Sequence, residues 1–214
     1  MTNDTISILG AGRVGRTLAT ALADRGRDVV LGVRDPRRVE AEWTGPAVSF
    51  TDVEGAVSRS GLVVNATPGD TTLERLGALD EALAGSILVD LSNATARGAD
   101  GMPGALLYPG SSLGERLQAA LPATRVVKTL NTMLFSAMAA PGELGTTPTV
   151  FLSGDDPEAK TAVRRLLAEL GWRDEWMLDL GGIESARGTE ALALLVPSLL
   201  RALGFAPFAL TIAR

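Results

Sequence analysis

Ile6-Ser7-Ile8-Leu9-Gly10-Ala11-Gly12-Arg13-Val14-Gly15 is the stretch that decides the fold. An apolar run passes into G-x-G-x-x-G, and apolar positions then recur at helical spacing through Val14, Leu18, Ala21 and Leu22. Strand, glycine turn and helix in that order suit a dinucleotide pyrophosphate. Gly10 permits the tight turn, Gly12 lets phosphates approach the backbone, and Gly15 lets the helix lie close on the sheet. The positive end of the helix then faces the phosphates. With a second strand at 28–33, the predicted unit is the βαβ of a nucleotide-binding sheet.

The second strand runs out through Gly32-Val33-Arg34-Asp35-Pro36-Arg37-Arg38. An NAD site usually places a carboxylate here, about 20 residues past the glycines, to hold the ribose hydroxyls. This chain has Arg34, with Arg37 and Arg38 within a turn, and three guanidinium groups suit a 2′-phosphate. NADP is therefore the expected cofactor, although Asp35 sits beside the arginines.

Further strands are predicted at 47–51, 62–66, 87–91, 125–132, 149–153 and 175–180, mostly separated by helices. Capping patterns at Thr51-Asp52-Val53-Glu54, at Ser112 and at Asp156 open three of those helices. The fold class is α/β, a Rossmann-type, doubly wound, mostly parallel sheet with a small helical C-terminal unit. Ligands of such sheets bind at the carboxyl ends of the strands. Ala66, Thr67 and Pro68, then Asn93, then Asn131 and Thr132 fall at three such ends, marking the nicotinamide and acceptor side. The Thr67-Pro68-Gly69 stretch reads equally well as a plain turn before a helix opened near Thr71. Lys128 reads as structural or as reaching an anionic group rather than as a base. The 93–112 segment is Ala-, Gly- and Pro-rich without periodicity, so it is expected to be an acceptor-site loop. It holds the sole tyrosine, Tyr108, a candidate proton donor with no lysine close in sequence; a structural or stacking role is the other reading.

The 214 residues, with 46% hydrophobic and only 4% aromatic side chains, allow a sizeable aliphatic core. Cysteine and histidine are both absent. That excludes disulfides, thiol nucleophiles, iron–sulfur clusters, Cys/His zinc sites and the commonest general acid/base. No metal is expected, because Asp156 before Pro157 reads as a helix cap. Net charge is −5 and the basic residues are scattered, so no nucleic-acid partner is expected. Without a signal-like start or a membrane-length apolar run, a cytoplasmic enzyme with a small-molecule partner is expected. Residues 1–181 read as the NADP-binding domain and 182–214 as a helical tail that closes the acceptor site. Leu192, Leu194, Leu195, Val196, Leu199, Leu200 and Leu203 leave that tail little polar face, so it is expected to be buried, by a homodimer partner. Pro197 should kink or divide it.

Across nearly the whole chain the pattern resembles the NADP-dependent oxidoreductases of the deazaflavin coenzyme F-420, whose fold also provides the NADPH domain of a membrane metalloreductase family. The matching stretches are Gly10–Gly15, Gly32-Val33-Arg34, Ala66-Thr67-Pro68, Val127-Lys128-Thr129-Leu130-Asn131-Thr132, Ser153-Gly154-Asp155-Asp156 and Glu184-Ser185-Ala186-Arg187-Gly188-Thr189-Glu190. The resemblance implies hydride exchange between NADP and coenzyme F-420, with the glycine turn and Arg34 holding NADP and Arg38 assisting at the 2′-phosphate. Two positions depart from the family: Val33 stands where a serine often precedes the arginine, and Asn131 where archaeal members can carry histidine. The residues alone leave two other functions open. One is an NADPH-dependent reductase of a small carbonyl, imine or quinone, protonating through Tyr108 or a water. The other is an NADPH-sensing or partner-binding protein without turnover.

Overall fold

The computed structural model describes residues 5–213. In chain order the elements are β1 (Thr5–Leu9), α1 (Arg13–Ala23), β2 (Asp28–Gly32), α2 (Pro36–Ala41), β3 (Ser49–Thr51), α3 (Val53–Val57), β4 (Leu62–Asn65), α4 (Gly69–Gly77), α5 (Asp80–Leu83) and β5 (Ile87–Asp90). There follow β6 (Thr95–Arg97), β7 (Pro103–Leu106), α6 (Leu113–Ala120), β8 (Arg125–Thr129), α7 (Phe135–Ala139), β9 (Val150–Ser153), α8 (Pro157–Glu169), β10 (Met177–Asp179), α9 (Ala186–Ala191) and α10 (Val196–Leu203). The main sheet has eight strands in the order β10-β9-β8-β5-β4-β1-β2-β3. From β3 to β8 all neighbours are parallel; β9 runs antiparallel to β8, and β10 follows β9 in parallel. This is the Rossmann-type α/β sheet expected from the sequence.

The continuous apolar runs of the central strands divide by alternation, because successive side chains of a strand point to opposite faces. Ile6, Ile8, Val64, Val89 and Val127 join one core with Leu18 and Leu22 of α1 and Val163 and Leu166 of α8. Leu9, Val63, Leu88 and Val126 join the other with Ala56 of α3, Leu76 of α4 and Leu113 and Leu117 of α6. Both faces are covered, so the strands read as unbroken apolar stretches instead of alternating ones.

The helices open where the capping patterns place them, with Asp52 in place of Thr51 as the cap of α3, because Thr51 is still the last residue of β3. Asp52 accepts from Gly55 N, Asp156 from Ala159 N, and Ser112 from Glu115 N while its hydroxyl meets Glu115 Oε2. Three local expectations are corrected. Residues 93–112 are not a plain loop: β6 and β7 form an antiparallel hairpin closed around Gly98–Gly101. Its faces are both largely exposed, so no period-two apolar signal marks it. The strand expected at 125–132 stops at Thr129, because Leu130 takes a left-handed backbone with φ 58°. The helix after Pro68 starts at Gly69, ahead of Thr71.

Past β10 the tail is a one-turn 3-10 segment Ile183–Ser185, then α9, a second 3-10 segment Leu192–Leu195, and α10. Pro197 occupies the first turn of α10, where its missing N–H costs nothing, so it divides the tail as expected. The chain then returns in extended form, with Leu134 N donating to Phe208 O and Thr149 N to Leu210 O. The tail is only partly buried within one chain. Leu194, Leu195, Leu203 and Phe205 are all exposed.

Candidate functional site

The carboxyl ends of β2, β1, β4, β5 and β8 lie side by side, and they carry the expected residues in one continuous sequence. At β2 the chain leaves through Val33, which is buried and donates to Thr51 O, into the exposed Arg34. At β1, Gly10 has φ 98°, a left-handed conformation that glycine alone adopts freely. Gly10 is also crowded: a Cβ there would lie 3.0 Å from Ala66 O and 3.2 Å from the Thr67 methyl. Gly15 is required by the packing, since a Cβ would sit 1.9 Å from Gly10 O.

Gly12 differs from both. It is the N-cap of α1, no side chain caps the helix, and a Cβ at position 12 would meet nothing within 4 Å. The first two glycine requirements come from the chain itself, whereas the space at Gly12 is open. Open backbone at an uncapped helix N-terminus is a cradle for an anion. Ala11 O is held by Arg16 Nε (3.0 Å), and Val14 packs on the core below. The Arg13 guanidinium lies over the rings of both Phe135 (5.6 Å) and Phe205 (5.7 Å), whose centroids are 6.4 Å apart, an arrangement that no local pattern announced.

The three arginines after β2 are not equivalent. Arg38 is paired with Glu42 (3.0 Å) and lies 3.9 Å from Asp35, whose side chain also caps α2 through Arg38 N. Among the described residues no ion pair engages Arg34 or Arg37. They are the available cations beside the cradle.

On the other side of Gly10 the wall continues through side chains. Thr67 N and Oγ1 both donate to Asn65 Oδ1 (3.2 and 2.6 Å), which fixes the turn carrying Pro68. Gly69 abuts the next strand end so closely that a Cβ would stand 2.3 Å from Asn93 O. The carboxamides of Asn93 and Asn131 then pair across β5 and β8: Asn131 Nδ2 donates to Asn93 Oδ1 (2.9 Å), and Asn93 Nδ2 donates to Asn131 O (2.9 Å). Thr132 is buried beside them. Tyr108 packs against the core that contains α3, α4 and α6 side chains, with the Arg116 guanidinium over its ring (5.7 Å).

Beneath that wall lies a row of residues that sequence reasoning did not assemble. Asn65 and Asp90, the last residues of β4 and β5, and Lys128, the last but one of β8, pair in register and share the α6 face of the sheet. Each stands where alternation calls for an apolar residue, and all three are fully buried. Asn65 Nδ2 donates to Asp90 Oδ1 (2.7 Å), and Ser92 Oγ donates to the same oxygen (2.7 Å). Lys128 Nζ donates to Asp90 Oδ2 (2.7 Å) and to the Ser92 carbonyl, and pairs with Glu190 Oε1 (2.8 Å) from α9. Glu190 also receives Leu113 N and Gly114 N (2.9 and 3.0 Å), so the tail caps α6. Burial would drive the lysine toward its neutral form, but the facing carboxylates of Asp90 and Glu190 outweigh it and hold the ammonium above its ordinary value. The expectation that Lys128 reaches an anionic group is met by two of them. The one available signal was three apolar strands each closing on a polar residue; their neighbourhood is not written in the sequence.

Asp155 and Asp156 are both engaged in local structure, Asp156 capping α8 and Asp155 Oδ1 accepting from Ile183 N (2.8 Å). A cleft of about 490 Å³ opens beyond β10, against Thr149, Trp176 and Thr211, and touches none of the strand ends described above. Among the described residues no helix is long and apolar enough to cross a membrane.

Comparison with known proteins places this geometry among oxidoreductases. A family model described as NADP oxidoreductase, coenzyme F420-dependent, matches residues 5–94, from β1 through Ala94. A solved structure from Arthrobacter sp. FB24, assigned as an F420-dependent NADP-reductase, is 42% identical and superimposes with a TM-score of 0.89, covering 98% of this chain and 99% of that one. Metalloreductase STEAP3 of Rattus norvegicus is 35% identical over 90% of the chain; the chain spans 37% of that protein's length. An imine reductase of Streptomyces aurantiacus, 21% identical with a TM-score of 0.63, covers 92% of this chain and 62% of its own and shares the fold.

Proposed function

The chain belongs to the coenzyme F420-dependent NADP oxidoreductases, and we propose that it exchanges a hydride between NADP(H) and a deazaflavin coenzyme along the row of strand ends from Arg34 to Asn131. The residues fit NADP at the cradle above Gly12, which the chain itself leaves open, and at Arg34 and Arg37, which no carboxylate among the described residues pairs. In this reading the Gly10–Gly15 turn and the α1 N-terminus hold the pyrophosphate, and Arg34 and Arg37 hold the 2′-phosphate. Arg38 contributes less, because Glu42 and Asp35 already occupy it. Val33, Ala66, Thr67 and Pro68 wall the dinucleotide, and the Asn93–Asn131 pair with Thr132 orients the nicotinamide and the acceptor ring. When bound, the two rings supply the hydride chemistry themselves. The protein then aligns them and excludes water, tasks that need no histidine or cysteine.

The observation that carries the reading is the order of the strand ends, with an anion cradle at one end and paired carboxamides at the other. Tyr108 supports the proton-donor alternative less well, since its ring is occupied by core packing and Arg116. The test is absorbance: NADPH, coenzyme F-420 and the protein together should bleach the visible band of the deazaflavin. A flat trace at saturating protein would overturn the acceptor assignment.

We propose in addition that the tail from residue 182 closes the acceptor side and pairs with a second copy of the chain. Leu203 and Phe205 are 60% and 65% exposed in one chain, and Phe205 leans over Arg13 at the glycine turn. Light scattering at micromolar protein should give a dimer mass; monomer alone would refute the pairing.

A further inference from the structure

The buried lysine has no evident need to exist. An ammonium and two carboxylates out of water are costly, and an apolar trio of similar volume would pack the same place without that penalty. What the trio holds in place is therefore informative. Asp90 Oδ1 receives Asn65 Nδ2, Ser92 N and Ser92 Oγ, and Lys128 Nζ grips the Ser92 carbonyl. Both ends of the Ser92 backbone are thus fixed from below, one residue before Asn93. On the far side, Leu130 is held left-handed, a conformation that a non-glycine residue keeps only where its surroundings impose it. That conformation carries the chain from Lys128 to Asn131, whose carbonyl is held by Asn93. Glu190 ties the same ammonium to the tail and to the α6 N-terminus, whose N–H groups offset the second carboxylate.

We infer that Lys128 is a positioning residue: through Ser92 it sets Asn93, and through Asn93 it sets Asn131, fixing the ring half of the dinucleotide site without touching the ligand. The inference rests on the proposed assignment of Asn93 and Asn131 to that half. It also makes Asp90 and Glu190 members of one unit with Lys128, so that docking of α9 and the shape of the ring site are set together.

Two ligands separate positioning from general damage. NADPH spans the whole site, while adenosine 2′,5′-bisphosphate reaches only the cradle-side arginines. In Lys128→Met, NADPH affinity should fall about tenfold, with the enhancement of bound nicotinamide fluorescence lost, while affinity for adenosine 2′,5′-bisphosphate changes less than about twofold. If Lys128→Met does not fold, Asp90→Asn decides, with the same selective loss expected. Equal losses for both ligands, or no loss for either, overturn the positioning role. Asn131→Ala is the control on the underlying assignment. If it weakens NADPH selectively while Lys128→Met and Asp90→Asn do not, the inference fails and the site assignment stands. If Asn131→Ala moves neither ligand, the assignment itself fails, and the inference with it.

Discussion

The two halves of the site are built from different materials. Around β1 and β2 the wall is backbone: a left-handed Gly10, an open Gly12, a Gly15 against which α1 closes, and exposed arginines beyond. Around β4, β5 and β8 it is side chain: Asn65, Asp90, Lys128 and Glu190 buried in one network, with the Asn93–Asn131 pair above. The first half is mostly local: the turn's shape is set by its own glycines, with Ala66 and Thr67 crowding Gly10 from outside. The second exists only because three strands, far apart in the chain, end side by side. A substitution in the first half should therefore act on the ligand or on one contact, and in the second on several residues at once.

The largest effect is expected in the buried network. Removing one member of a buried ion pair costs about 3–5 kcal/mol, and Lys128→Met leaves two carboxylates facing each other. Urea unfolding should show a loss of that size, and a loss below about 1 kcal/mol would make the network a surface-like pair. The sign with pH follows from the raised lysine. Its contribution is fully present below the unfolded value near 10.4 and is lost as pH rises through the higher folded value, so the difference between wild type and Lys128→Met should narrow only in strong alkali.

Next is the contrast between glycines. Gly15→Ala drives a methyl group to 1.9 Å from Gly10 O and should destabilise by about 1–3 kcal/mol through overpacking. Gly12→Ala meets open space, so its cost should stay within about 1 kcal/mol, that of a poorer N-cap. NADPH binding should nevertheless weaken, because the added methyl occupies the cradle. Thermal unfolding with and without NADPH separates the two. Equal destabilisation in the absence of ligand would erase the distinction between a glycine the fold needs and one the ligand needs.

How legible each half was follows from the same difference. The glycine turn, the helix start just after Thr51, the caps at Ser112 and Asp156, and the parallel sheet could be read because glycine geometry, capping and apolar runs are local signals. Arg34, Arg37 and Arg38 were legible as a cluster, but the Arg38–Glu42 pair that removes one of them needed the helix to form. The β6–β7 hairpin gave no alternation because neither face is buried. Asp90 and Glu190 were invisible as partners of Lys128, since nothing within their own segments says that β5 neighbours β8 or that α9 folds back on α6. The left-handed Leu130 is invisible for a related reason: a leucine is placed there by its surroundings and not by its own preference.

Smaller effects belong to the exposed arginines. Arg34→Glu should lower NADP affinity about tenfold and leave NAD affinity nearly unchanged; equal losses for both would refute its 2′-phosphate role. Smallest of all, Arg38→Ala should weaken NADP less than Arg37→Ala, because Glu42 and Asp35 already engage Arg38. The reverse order, measured by titration, would return Arg38 to the phosphate.

In the proposed reaction the two halves act together, and a hydride passes directly between a ring held at Asn93–Asn131 and a deazaflavin beside it. Its most direct test is isotopic. NADPH carrying deuterium at the transferring position of the nicotinamide, incubated in ordinary water with the protein and oxidised coenzyme F-420, should deliver the label undiluted into the reduced deazaflavin ring. Label recovered in water, or reduced deazaflavin without deuterium from NADPH labelled on either face, would contradict direct transfer.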